Sequence, residues 1–304
     1  MGTRRSLAAA ALAGSCLTAA CSSSAAAPAP SPARSGPVAT IVPPSRAAAS
    51  PTHAVPPAPV PRVSVSRVRT ADGSVVTVAT FGGPVQYVLH NGSGDPGPAA
   101  AGLVRAGPAV GGAERRRLLA AFNGGFKLSA GAGGYEQEGH VISPLRRGLV
   151  SLVIDRSGRA RIGVWGHGLP APGEAVYSVR QNLQPLVKHG RPTPAAADWG
   201  LWGATLGGGE YVTRSALGQN ASGELIYAAS ISASPDDLAS ALVRRGARIA
   251  MELDINPEWV QLDIARVPGG RLTAAVPGQN RPADQYLLGW TRDYITVLAP
   301  APAG

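Results

Sequence analysis

The stretch from Arg214 to Asp254, RSALGQNASGELIYAASISASPDDLASALVRRGARIAMELD, decides the fold. SALGQ and ELIYAAS flank Asn220-Ala221-Ser222-Gly223, a pattern of apolar runs around turn-forming residues that predicts a β-hairpin. Ser234-Pro235-Asp236-Asp237 then supplies an N-cap, a proline suited to the first helical position and an acid at the capping-box position. Leu238, Ala241 and Leu242 form the apolar stripe of that helix, and Gly246 stops it. From Arg248 to Asp254 the residues alternate again. A strand there places Ile249, Met251 and Leu253 on one face and Glu252 and Asp254 on the other, with the two acidic Cα atoms about 6.6 Å apart. A helix-then-strand unit ending in carboxylates puts those groups beyond a strand end, where α/β layers place sites. The opposing reading is an edge strand whose acids face solvent.

The same pattern recurs elsewhere. VSVSRVR and SVVTVATF flank Ala71-Asp72-Gly73, GLVSLVI and RARIGVW flank Asp155-Arg156-Ser157-Gly158, and WVQLDIARV and RLTAAV flank Pro268-Gly269-Gly270. Each predicts a hairpin. A second helix is expected over Ala113–Ala121. The expected fold class is therefore α+β, mainly antiparallel or mixed β-sheet with a few helices packed on it.

The N-terminal portion is of another kind. Arg4 and Arg5 precede an apolar run from Leu7 to Ala20, which reads as a signal peptide and is too short to span a bilayer. It ends in LTAACSSS, the form of a lipoprotein cleavage site with Cys21 as the acylated residue; Cys16 is the weaker alternative, and plain secretion is the other outcome. The myristoylation-like MGTRRS is a chance match ahead of such a run, and the arginine pair leaves the export route open. Residues 22–62 hold 11 of the 28 prolines and no acid, so they form a disordered tether with a reach on the order of 100 Å. Residues 63–304 are the folded unit. That unit has no cysteine, which excludes disulfides and thiolate metal sites from it.

The formal net charge is +10, and all of the 28 basic residues except Lys127 and Lys188 are arginine. The basic residues are spread singly along the chain, without a basic helix or interleaved aromatics, which argues against nucleic acid as a partner. Anionic polymers or lipid surfaces of a cell envelope fit an exported basic protein better. The five histidines show no metal-ligand spacing, His140 among them reads as a surface or turn residue, and Asp293 in WTRDYITV is expected to pair with a nearby arginine. No G-x-S-x-G or S-x-x-K nucleophile motif occurs.

Ala121-Phe122-Asn123-Gly124-Gly125-Phe126-Lys127 is the other conspicuous stretch: two glycines after Asn123 permit close approach to the backbone. Taken alone, this is an ordinary Asn-Gly turn. Taken in order, FNGGF, RSALG (Arg214–Gly218), the hairpin, the capped helix and a strand ending in Leu253-Asp254 resemble the phosphodiester glycosidase domain family. There the pieces are an NGG-F turn, an R-T-x-x-G segment and an LDGGGS strand end. The resemblance covers roughly residues 110–300, and RQNLQPLV (Arg180–Val187) and LWGATLG (Leu201–Gly207) are similar to a bacterial branch of that family. This chain departs from the pattern in reading Leu253-Asp254-Ile255-Asn256-Pro257-Glu258-Trp259, without the glycines, and in having Ser215 for threonine.

What the resemblance implies is hydrolysis of a sugar 1-phosphodiester in a glycoconjugate or wall polymer by an extracytoplasmic, membrane-anchored protein. Such chemistry needs a carboxylate near C1 and cationic donors on phosphate. On that basis Asp254 is the first candidate for the catalytic carboxylate and Glu252 the second. Arg214 is the expected phosphate clamp. Asn123, Gly124, Gly125, Asn182 and Asn256 are expected around the substrate, with Trp259 against a sugar ring. No cofactor is expected, although a divalent ion bridging Asp254 and phosphate stays open. The alternative function is a non-catalytic glycan-binding or structural envelope lipoprotein on the same fold.

Overall fold

The computed structural model describes residues 59–203 and 208–302. The signal peptide, Cys21 and nearly all of the tether lie outside the described residues, as do the last four residues of the LWGATLG segment. The first strand starts at Arg62, one residue before the expected boundary.

Among the described residues, seventeen short strands build three sheets, and every strand pair there is antiparallel. The largest sheet has seven strands, in the order Arg62–Arg69, Val75–Gly82, Leu225–Ala233, Val212–Asn220, Ala247–Glu252, Val187–Lys188, Arg191–Pro192. A five-stranded sheet runs Leu272–Ala274, Leu262–Ala265, Leu118–Asn123, Tyr294–Leu298, Gln86–His90. The other five-stranded sheet runs His140–Ser143, Tyr135–Gln137, Ser178–Gln181, Val150–Ile154, Ala160–Val164. The four hairpins expected from alternation are all present, pairing Arg62–Arg69 with Val75–Gly82, Val150–Ile154 with Ala160–Val164, Val212–Asn220 with Leu225–Ala233, and Leu262–Ala265 with Leu272–Ala274. With three short α-helices beside these sheets among the described residues, of which Pro235–Arg244 packs on the seven-stranded one, the fold is α+β.

One core cluster takes side chains from all three sheets: Phe81, Phe122, Leu152, Tyr227, Met251 and Ile295 are buried together. The rings of Phe81 and Phe122 stack at 5.5 Å, tying two sheets face to face. Helix Pro235–Arg244 covers the other side of the seven-stranded sheet. Its Leu238, Ala241 and Leu242 pack on Ala216, Ile226 and Ala250. Its capping box is complete: Ser234 Oγ accepts the Asp237 amide at 3.1 Å, and the Asp237 carboxylate accepts the Ser234 amide at 3.0 Å.

The second helix is shorter than expected. It spans Gly112–Arg117, and Leu118 turns extended at ψ 123° to open the strand Leu118–Asn123. All six residues of that strand are buried, between Leu262–Ala265 and Tyr294–Leu298. Sheet pairing and burial on both faces override the helical propensity of Leu118-Leu119-Ala120-Ala121.

The edge-strand reading of the acids does not hold. Ala247–Glu252 lies inside the seven-stranded sheet, between Val212–Asn220 and Val187–Lys188. Met251 and Leu253 face the three-sheet core, as their spacing requires, while Ala250 on the other face meets the helix. Both faces are covered, so Glu252 is enclosed rather than solvated.

Candidate functional site

The ladder carrying the acids continues past its last strand residue. Leu253 N donates to Ser215 O at 2.8 Å, and Ser215 N donates to Asp254 O at 2.8 Å. The two carboxylates then part company. Glu252 is fully buried, and its Oε1 takes Arg214 Nη1 at 2.8 Å. Arg214 is enclosed as well; it also donates to the carbonyls of Ala233 and Trp202 at 3.2 and 3.3 Å. Burial raises the Glu252 carboxyl to about 8 in spite of Arg214. The Glu252–Arg214 pair is thus a closed unit beneath the helix. Neither side chain lines the cleft at Asp254.

Asp254 ends at an opening. A cleft of about 460 Å³ is lined by Phe126, Lys127, Leu183, Asp254, Asn256 and Arg292, among others. Asp254 Oδ2 takes Arg292 Nη1 at 2.6 Å. Its Oδ1 takes the amides of Ile255 and Asn256 at 2.8 and 3.0 Å. Burial pushes this carboxyl above the usual range, and Arg292 and the two amides oppose that push. Arg292 also donates to Gly125 O at 2.9 Å, and its guanidinium lies 5.8 Å from the Trp259 ring centroid. The Nε of Arg292 has no partner among the described residues. Lys127 is exposed at the rim and makes no ion pair among the described residues. Opposite these polar groups, Phe126, Ile255 and Ala132 form an apolar wall.

Ile255 fills the wall, and the amides of Ile255 and Asn256 close on Asp254 itself.

The asparagines converge on this place from behind. Asn123 Nδ2 donates to Ser215 Oγ at 2.9 Å, and Ser215 Oγ accepts the Asp254 amide at 3.1 Å. Asn123 Oδ1 accepts Tyr227 Oη at 2.8 Å. Asn182 Nδ2 donates to the carbonyls of Glu252 and Leu253 at 2.9 and 3.0 Å, while its Oδ1 accepts the Phe126 amide at 3.2 Å. Both amides are spent inside the protein, fixing the strand end and the NGGF turn against each other. The Ser215 hydroxyl joins the two by bonding to Asn123 Nδ2 and to the Asp254 backbone.

Gly124 and Gly125 make room for protein rather than ligand. A Cβ on Gly124 would sit 1.9 Å from Asp293 Oδ2, and one on Gly125 would sit 3.0 Å from Arg180 Cζ. Asp293 and Arg180 form a buried pair at 2.7 Å, as the sequence led us to expect for Asp293. Trp259 packs at 5.7 Å from Trp290, with the Arg281 guanidinium 4.8 Å from both rings. It braces Arg292 and is not a cleft wall. Asn256 does line the cleft, with its amide held by Asp254. His140 is exposed on strand His140–Ser143.

Sequence reasoning missed Arg292 and Lys127 as parts of the site. The signal was faint but present. Thr291-Arg292-Asp293 immediately precedes the apolar strand Tyr294–Leu298, just as polar residues close the strand at Asp254. Among the described residues no group of three or more His, Cys, Asp or Glu is placed to hold a metal ion, and no helix is long and apolar enough to cross a membrane.

No family model and no curated protein matches the chain. Among solved structures it is similar to the zebrafish N-acetylglucosamine-1-phosphodiester alpha-N-acetylglucosaminidase catalytic domain auto-inhibited by its pro-peptide, at 13% identity and a TM-score of 0.47, covering 82% of this chain and 86% of that one. It is also similar to a hypothetical protein from Synechocystis, at 13% identity and a TM-score of 0.49, covering 78% of this chain and 62% of that one.

Proposed function

We propose that the protein is an extracytoplasmic hydrolase of sugar 1-phosphodiester linkages, acting at the cleft beside Asp254. One observation carries the reading: an anchored carboxylate, a guanidinium and a free lysine open onto one cleft with an apolar wall opposite. An apolar wall suits the face of a sugar ring, and the polar side suits its anionic substituent. The order of the FNGGF, RSALG and LD segments adds its resemblance to phosphodiester glycosidases.

In this reading the phosphate role passes from Arg214, which is enclosed, to Lys127 and Arg292. Water adds at C1 as the C1–O bond breaks, and the phosphomonoester leaves with the bonding electrons. The water proton goes to the Asp254 carboxylate, which also stabilises positive charge building on the sugar. Lys127 and the remaining N–H groups of Arg292 receive charge growing on the phosphate. Arg292 and the two backbone amides hold Asp254 in one orientation throughout. Glu252, Asn123 and Asn182 serve as the scaffold behind it.

The test is incubation with a nitrophenyl diester of a sugar 1-phosphate, with release of reducing sugar as the readout. Wild-type chain should release sugar, Asp254→Asn should reduce kcat/KM by about 100-fold or more, and Lys127→Ala should lower kcat, because its charge meets charge that grows on the phosphate in the transition state. Binding of the diester without turnover would instead support the glycan-binding alternative. An Asp254→Asn variant as active as the wild type would remove the hydrolytic reading.

A further inference from the structure

A second cavity, among the described residues, shares no residue with the Asp254 cleft. Its volume is about 760 Å³, and Arg161, His167, Lys188, His189 and Arg248 line it with no carboxylate among its walls. That size lies within the range of ligand sites. These residues come from three separate segments of the sequence, and two local turns help to bring them together. On one side, His189 and Gly190 both adopt left-handed backbone, with φ of 53° and 75°. Such a two-residue turn makes a tight hairpin tip, and it pairs Lys188 with Arg191. Gly190 N donates to Arg248 O at 2.9 Å, which sets the Arg248 side chain beside that tip. On the other side, His167 sits in the turn after strand Ala160–Val164, its amide bonded to Val164 O at 3.0 Å.

Charge balance marks the cavity out. Of these five residues only Arg161 has an acidic partner among the described residues, Glu174 at 2.8 Å. Lys188, His189 and Arg248 are exposed, and none of them forms an ion pair among the described residues. Like charges crowded in a concavity repel one another, and low-dielectric walls focus their field outward. That arrangement favours a multivalent anion, because Arg and Lys together grip phosphate oxygens strongly. A flat lipid surface would not enter a concavity, and a single phosphate would leave most of it empty.

We infer that this cavity binds a segment of a phosphodiester-linked polyanion of the poly(glycerol phosphate) kind, holding the polymer at a site separate from the hydrolytic cleft. The site stands on its own residues, so a failure of the hydrolytic reading leaves it standing.

The experiment measures binding of a short poly(glycerol phosphate) oligomer to the full chain by calorimetry. Lys188→Glu together with Arg248→Glu should weaken binding about tenfold or more, and the wild-type affinity should fall steeply with added salt. Both positions are exposed, so the melting temperature should stay near wild type; if it drops, the Gln pair replaces the Glu pair and the same loss of affinity is expected. Turnover of the small nitrophenyl diester should be unaffected by either pair, which separates this site from the Asp254 cleft. Binding within twofold of wild type in the charge-reversed chain, or equal binding of neutral dextran, overturns the proposal. So does binding to anionic vesicles that is lost on charge reversal while the soluble oligomer does not bind at all.

Discussion

Substituting Gly124 by alanine tests whether the NGG turn exists for the protein's own packing or for a ligand. The new Cβ would lie 1.9 Å from Asp293 Oδ2, 2.5 Å from its Cγ and 2.8 Å from its carbonyl oxygen. Ordinary contact begins near 3.5 Å, so the carboxylate has to retreat by about 1.5 Å. It has nowhere favourable to go, because Asp293 and Arg180 are each only 1% exposed and are joined at 2.7 Å. Moving one partner leaves a buried charge uncompensated, which costs about 3–5 kcal/mol. For a domain of this size that corresponds to a fall in melting temperature of roughly 10 °C. Thermal unfolding followed by tryptophan fluorescence reads this directly. Gly94→Ala is the control, since its Cβ would meet nothing closer than Thr291 O at 3.5 Å. A loss below about 1 kcal/mol for Gly124→Ala, with only sugar-phosphate binding impaired, would refute the packing argument and return the turn to the ligand.

Three further outcomes are expected. Buried Glu252 and Asp263 have carboxyls raised by burial to about 8 and about 7 from 4.5 and 3.8. Their contribution to stability is therefore complete below the unfolded values and is lost as pH rises through 7 and 8, so urea midpoints should fall between pH 5 and pH 8; a midpoint rising over that interval contradicts the assignment. Ser234→Ala removes one half of the capping box and should cost about 1 kcal/mol, seen as a lower urea midpoint at unchanged slope. Arg292→Met strips Asp254 of its ion-pair partner, so diester turnover should collapse and the domain should lose about 3 kcal/mol; a variant stable and active as wild type would show that the 2.6 Å contact does neither job.

Much of the architecture was written locally. Hairpins follow from alternation around Asn-Ala-Ser-Gly or Asp-Arg-Ser-Gly, and the helix after Ser234 follows from a capping box, because both depend on residues only a few positions apart. The faces of the strand ending at Glu252 were legible for the same reason. The extent of the first helix was not, since what ended it at Arg117 was pairing with Leu262–Ala265 and Tyr294–Leu298, distant in sequence. The carboxylates show the division most clearly. Composition singled out Glu252 and Asp254, yet their separate fates depended on whether Arg214 or Arg292 reached each of them, and on Asp254 standing past the end of the ladder beside open space. Likewise, the excess of positive charge was a matter of counting, while the gathering of Lys188, His189 and Arg248 with Arg161 and His167 required sheet neighbours to meet. Local backbone preference is encoded within a few residues, but burial and the pairing of charge depend on which distant segments share a wall, and only the folded chain decides that.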